Sequence, residues 1–183
     1  YEEYYEAYIN QLGSDDILAI INNNNPELAQ EIRPAEVSNP SFTRINYRNQ
    51  GATRSYGLSQ ELESILQLTA QETGVEVFIY SGGQPATGNQ RVGSRRHDFG
   101  NAADLYITQN GNKICNGDPK FNEFVRVAFK NGIQAGGSSP AYMGNCNMHL
   151  DIVGTRMGGG IYWKSTQNFV DALKAGINSR ATS

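Results

Sequence analysis

Cysteine, histidine and long apolar runs are scarce in this chain, and each scarcity narrows what the chain can be. There are two cysteines among 183 residues, Cys115 and Cys146, and no CxxC spacing. A fold stapled by several disulfides is therefore excluded. The core must come from apolar packing, which a chain of this length can supply. The two thiols either form one bridge in an oxidising compartment or stay free, and their spacing does not choose. No apolar run approaches the roughly 20 residues of a membrane-spanning helix, so no membrane span is expected; mean hydropathy is -0.52. Neither a secretory signal pattern nor an internal repeat is visible. The first residue is Tyr1 rather than Met, which suggests a processed product or part of something longer. Only two histidines occur, His97 and His149, so any imidazole chemistry falls on them.

What is abundant is Gly, with 20 residues, and Tyr, with 10; together with many Asn they indicate a loop-rich domain rather than a helical bundle. The length fits one compact domain of roughly 150 residues plus an extension. Charge marks the division. Residues 1–36 carry eight acids against one base, Arg33, whereas the remainder holds ten acids and fourteen bases. A mildly basic body suits an anionic polymer or is simply a solvated surface. The bases are scattered and no base-stacking motif appears, so nucleic acid is not an expected partner. Residues 1–40 read as an acidic helical extension with a linker, a docking arm for other proteins, and 41–183 as the functional domain.

Within the body, strands and helices alternate. Phe42 to Tyr47 and Val75 to Tyr80 read as strands. Ser59 is placed to cap a helix that ends at Gly74. A long Gly-rich loop over 81–96 leads to His97. Ala103 to Thr108 and Lys113 to Asn116 flank the hairpin signal Asn110-Gly111. Asp118-Pro119 opens a helix with Phe121, Phe124, Val125, Ala128 and Phe129 on one face. Met148 to Val153 is a further strand, and Ser165 caps a last helix that carries Phe169, Val170 and Leu173 and ends at Gly176. Few helices around a small, mainly antiparallel sheet define an α+β class.

The chemistry-bearing runs are His97-Asp-Phe-Gly100-Asn-Ala102-Ala-Asp104 and His149-Leu-Asp151. A catalytic zinc takes three protein ligands and keeps one position for water, and two His with one Asp are suitable donors. Gly100 permits an unusual dihedral or a close approach, and small residues at 102 and 103 leave room. His149 and Asp151 lie two apart on a strand and share a face, so one can ligate while the other works beside it. The same residues also fit a hydrogen-bonded polar pair without metal. No HExxH occurs.

The pattern Ser94…His97-x-x-Gly100-x-Ala102-x-Asp104, followed by His149, resembles the core motif of zinc D-alanyl-D-alanine carboxypeptidases and peptidoglycan L,D-endopeptidases, whose fold Hedgehog signalling domains share. Tyr80-Ser-Gly-Gly-Gln84 and Tyr142-Met-Gly144 are similar to a phage and prophage branch of these enzymes. The resemblance covers roughly residues 55–165 and leaves 1–50 outside. It implies a Hedgehog-like fold and zinc bound by His97, Asp104 and His149. It also implies a metallopeptidase acting on bacterial peptidoglycan peptides, as a phage lysin or virion-mounted lytic domain located on the virion or in the cell-wall space.

One departure bears on activity. Many members of that family place a catalytic Glu or Asp three residues before the last His, where this chain has Cys146. Proton transfer still needs a carrier. Asp151 is the first candidate and Asp98 a weaker one, although Asp151 equally suits a role orienting His149 through its other ring nitrogen. Cys146 reads better as a structural cysteine, bridged to Cys115, than as a ligand or nucleophile. In the resembled family an upstream Ser/Arg/Gln set binds the substrate carboxylate. Here Gln84, Arg91, Ser94 and Arg96 are the counterparts, with solvated surface arginines as the alternative. Tyr142, Tyr162 and Trp163 are candidates to line a groove, Trp163 being as well suited to packing or a lid. A non-catalytic virion or cell-wall-binding module is the rival to the enzyme.

Overall fold

A computed structural model describes residues 44–48 and 54–180. The helical extension and linker expected over 1–40, with the docking role given to them, lie outside the described residues, as do residues 42 and 43 of the expected first strand. Along the chain come β1 (Ile45–Tyr47), α1 (Gln60–Thr73), β2 (Glu76–Ser81), β3 (Ala102–Gln109), β4 (Asn112–Ile114) and α2 (Pro119–Asn131). They are followed by β5 (Ala135–Gly137), α3 (Pro140–Met143), β6 (Asn147–Asp151) and α4 (Gln167–Arg180). Short 3-10 turns occur at Arg95–His97 and Gly154–Met157.

Five strands run in the order β1-β2-β3-β6-β5, and β4 pairs with β3. Only β1 and β2 pair in parallel; the others are antiparallel. The class is therefore α+β, with a mixed six-stranded sheet and four helices among the described residues. Sequence signals act as expected in α1 and α2. Ser59 Oγ accepts the Leu62 N–H at one start, and an Asp118 carboxylate oxygen accepts the Lys120 N–H at the other, with Pro119 in the first turn.

The pleat separates packing from chemistry. Val77 and Ile79 of β2, Ala103, Leu105 and Ile107 of β3, and Met148 and Leu150 of β6 are fully buried. They form one cluster with Leu62 and Leu66 of α1, Phe121, Phe124 and Phe129 of α2, and Phe169 and Leu173 of α4. Alternation then puts Asp104, His149 and Asp151 on the other face of the sheet.

Two expectations are corrected. The last helix does not stop at Gly176 but runs on to Arg180, with Thr166 rather than Ser165 accepting the Phe169 N–H. Gly176 serves packing instead, since a Cβ there would lie 2.3 Å from the Arg126 carbonyl oxygen of α2. Arg180 continues the same contact by donating to the Phe129 and Ile133 carbonyls. Strand β5, with the sequence Ala-Gly-Gly, carries no β-branched or alternating signal and was not foreseen.

Cys115 and Cys146 form a disulfide, which answers the question their spacing left open. It ties the end of β4 to the start of β6, and polar bonds surround it. Asn116 donates from its backbone and side chain to the Asn145 carbonyl and from its side chain to Ser138 Oγ. Ser138 Oγ in turn donates to the Asn147 carbonyl. The bridge closes a loop with a sequence separation of 31, for which chain entropy alone gives roughly 3–4 kcal/mol. Urea unfolding of the Cys115→Ser/Cys146→Ser variant is expected to show a loss of about that size; a loss under about 1 kcal/mol would mean that the polar network holds β6 unaided.

Candidate metal centre

Register brings the donors together. Asp104 on β3 pairs directly with His149 on β6, and Ala102 pairs with Asp151. His97 arrives from the 3-10 turn, held by the packing of Gly100 against the start of α1. Gly100 has φ +76, its carbonyl accepts the Ser59 N–H at 2.9 Å, and a Cβ at that position would lie 2.5 Å from Ser59 N. This is a place where only glycine fits.

The ligand atoms of His97, Asp104 and His149 all lie within 4.8 Å of one another. His97 Nδ1 donates to the Gly82 carbonyl at 2.8 Å, which fixes the tautomer and leaves Nε2 toward Asp104 Oδ1 at 3.5 Å. His149 Nδ1 lies 2.8 Å from Asp104 Oδ1, and its Nε2 lies 3.2 Å from Asp151 Oδ2. Burial by itself raises the Asp104 carboxyl, but hydrogen bonds from His149 and His97 outweigh it and hold the group well below the usual carboxylate range. Burial likewise lowers His149, while Asp104 and Asp151 on its two sides more than reverse this and raise it.

This donor set fits a small divalent ion. A tetrahedral zinc with bonds of about 2.0–2.1 Å wants its ligand atoms roughly 3.3 Å apart, and the distances of the two imidazoles from Asp104 Oδ1, 3.5 and 2.8 Å, lie on either side of that value. Each imidazole has its remote nitrogen engaged, His97 by a backbone carbonyl and His149 by a carboxylate, as ligating histidines require.

Asp151 is fully buried. Its Oδ1 accepts the N–H groups of Val153 and Gly154, each at 2.9 Å, and the Arg96 guanidinium lies 3.2 and 3.0 Å from its two oxygens. Arg96 also donates to the Gly154 and Gly158 carbonyls and stacks 4.7 Å over Trp163. Trp163 in turn meets His149 edge-on at 5.2 Å.

An open cavity of about 440 Å³ lies over the donors, bordered by Arg54, Tyr80, Ser94, Arg96, Tyr142 and Trp163, among others. Of the residues expected to bind substrate, Ser94 and Arg96 are on this wall. Gln84 and Arg91 are not. Buried Gln84 donates to the Ser94 carbonyl and to Asp98 and accepts the Val92 N–H, while Arg91 pairs with Asp98 at 3.2 Å. Together they brace the loop that delivers His97. Asp98, the weaker proton-carrier candidate, is buried in this brace. Tyr142 and Trp163 line the cavity as groove residues, and Tyr162 does not.

Arg54 and Tyr80 were not anticipated. Arg54 Nη1 lies 3.2 Å from Asp104 Oδ2 and donates to Ser81 Oγ, and its Nε donates to the Val92 carbonyl. Its distance in sequence from every motif left no signal to find it by. Tyr80 ends a run that reads as a strand and opens the Tyr80-Ser-Gly-Gly-Gln84 stretch of the resemblance, which attached no role to it.

The sequence matches no protein-family model and no curated protein.

Calorimetric titration with a divalent transition metal is expected to give one site per chain, lost in His97→Ala. Asp151→Asn is expected to weaken it by about 10–100-fold; unchanged affinity would show that Asp151 does not set the His149 ring.

Proposed function

We propose that this protein is a zinc-dependent peptidase that hydrolyses peptide bonds of bacterial peptidoglycan. The observation that carries this reading is the buried His97/Asp104/His149 donor set at the floor of an open cavity. The motif resemblance and the α+β sheet support a Hedgehog-like peptidase fold. A phage lysin or a virion-mounted lytic domain is the setting we assign, with the extension as a contact for other virion proteins. The disulfide supports a location outside a reducing cytoplasm.

His97, Asp104 and His149 would hold the zinc. Bound there, it would supply Lewis acidity and an acidified water. The chain's own residues do the rest. The Gly82 carbonyl keeps the His97 Nε2 lone pair directed inward. Asp151 holds the proton on His149 Nε2, so that Nδ1 presents its lone pair to the site. With all its lone pairs engaged and no access to the cavity, Asp151 acts as a positioning residue rather than a proton carrier. Arg96, committed to Asp151, two carbonyls and Trp163, belongs to the same support. Arg54 and Ser94 are then the groups placed to meet a substrate carboxylate, Arg54 through the Nη2 that its bonds to Asp104, Ser81 and Val92 leave over.

A second reading, a non-catalytic virion or cell-wall-binding module, is favoured by one observation. Asp104 is the only carboxylate on the cavity wall among the described residues, and Cys146, where the resembled enzymes carry an acid, is locked in the disulfide.

Digestion of purified peptidoglycan separates the two. The zinc-loaded full chain is expected to release new amino termini, to lose this activity in chelator and to regain it on adding zinc. Binding to the wall without any cleavage would establish the module instead.

A further inference from the structure

With Asp151 and Asp98 buried, the Tyr80 hydroxyl is a polar group of the cavity wall that has no task in the scheme above. On β2, Ile79 pairs with Leu105 and Ser81 pairs with Asp104. Two steps along β2 therefore match one step along β3, and Tyr80 is the extra residue of a β-bulge. In such a bulge two consecutive residues oppose a single partner residue, and bulges next to active sites re-aim side chains in this way. Tyr80 and Ser81 both oppose Asp104. Ser81 is spent, since its hydroxyl accepts from Arg54, which in turn pairs with Asp104.

Tyr80 is different. Its ring borders the cavity with His97, Asp104 and His149, and its hydroxyl makes no hydrogen bond to any described residue. A phenol is protonated at neutral pH and is a hydrogen-bond donor. The two guanidinium groups nearby are held by other partners. Arg96 is held by Asp151 and the two glycine carbonyls, and Arg54 by Asp104, Ser81 and Val92.

Resting on the peptidase reading, we infer that Tyr80 is a catalytic residue whose phenolic O–H donates a hydrogen bond to the oxygen of the scissile carbonyl as negative charge gathers on it. A donor fixed in a partly dry cavity before the reaction begins is worth far more to the charged transition state than to the neutral amide. No bond to Tyr80 forms or breaks and its proton stays in place, so the role asks only that the O–H be present and aimed. The bulge would be the device that aims it.

The test is Tyr80→Phe in the zinc-loaded full chain, with purified peptidoglycan as substrate. kcat is expected to fall on the order of 10²-fold, as for loss of a single oxyanion donor, with KM within about threefold. Zinc affinity by competition with a chromophoric chelator, and Tm, are expected to match the wild type. A phosphinate dipeptide analogue, whose tetrahedral oxygens mimic the developing charge, is expected to bind the variant at least about tenfold more weakly. If the wild type cleaves and Tyr80→Phe cleaves within threefold of it, Tyr80 has no such role while the peptidase reading stands. If kcat falls but zinc affinity falls with it, Tyr80 supports the metal site and the oxyanion assignment is wrong. A wild type that cleaves nothing overturns both readings.

Discussion

The pairing of β3 with β6 is the constraint on which the site depends. Because side chains alternate with a period of two, a slip of one residue would turn Asp104 and His149 into the helical core and expose Leu105 and Leu150. That register is defended from both sides. On the core face, Ala103, Leu105, Met148 and Leu150 are packed against α1, α2 and α4. At the strand ends the disulfide anchors Cys146, just before β6, and Gly100 anchors the approach to β3. Hydrophobic packing on one face thus sets the geometry of polar chemistry on the other.

That polar face gathers groups that are costly to bury singly. Asp104 sits among two imidazoles and a guanidinium, and Asp151 among an imidazole, a guanidinium and two backbone N–H groups. Each carboxylate is compensated several times over, which is how buried charge becomes tolerable. Compensation also means preorganisation. The donor atoms are already gathered, so a metal ion would find its ligands in place rather than having to collect them.

Much of this was legible in the residues. The two helices with clear caps, the Asn110-Gly111 hairpin and the two histidine-bearing runs follow from local rules about φ, capping and spacing. The triad of donors could be proposed because the two histidines of the chain lie in runs with carboxylates and because those runs resemble a zinc-peptidase motif. What stayed hidden depends on contacts distant in sequence. Gly176 looks like a helix stop and is a packing contact with Arg126, 50 positions away. Arg91 and Gln84 look like ligands for substrate and instead brace the loop through Asp98. Arg54 reaches Asp104 across 50 residues, and no one-dimensional pattern announces that. The bulge at Tyr80 is invisible for a related reason, since a bulge is defined by the partner strand.

The Cys115–Cys146 bridge makes a covalent ring of the chain between them, and that ring contains all of α2, β5 and α3. A protease that cuts the short helix α3 at exposed Tyr142, or any other bond inside the ring, leaves both pieces joined as one molecule. The strand carrying His149 stays tethered to the strand carrying Asp104 through β4. Wherever proteases are met, this segment is one that can be nicked without being lost.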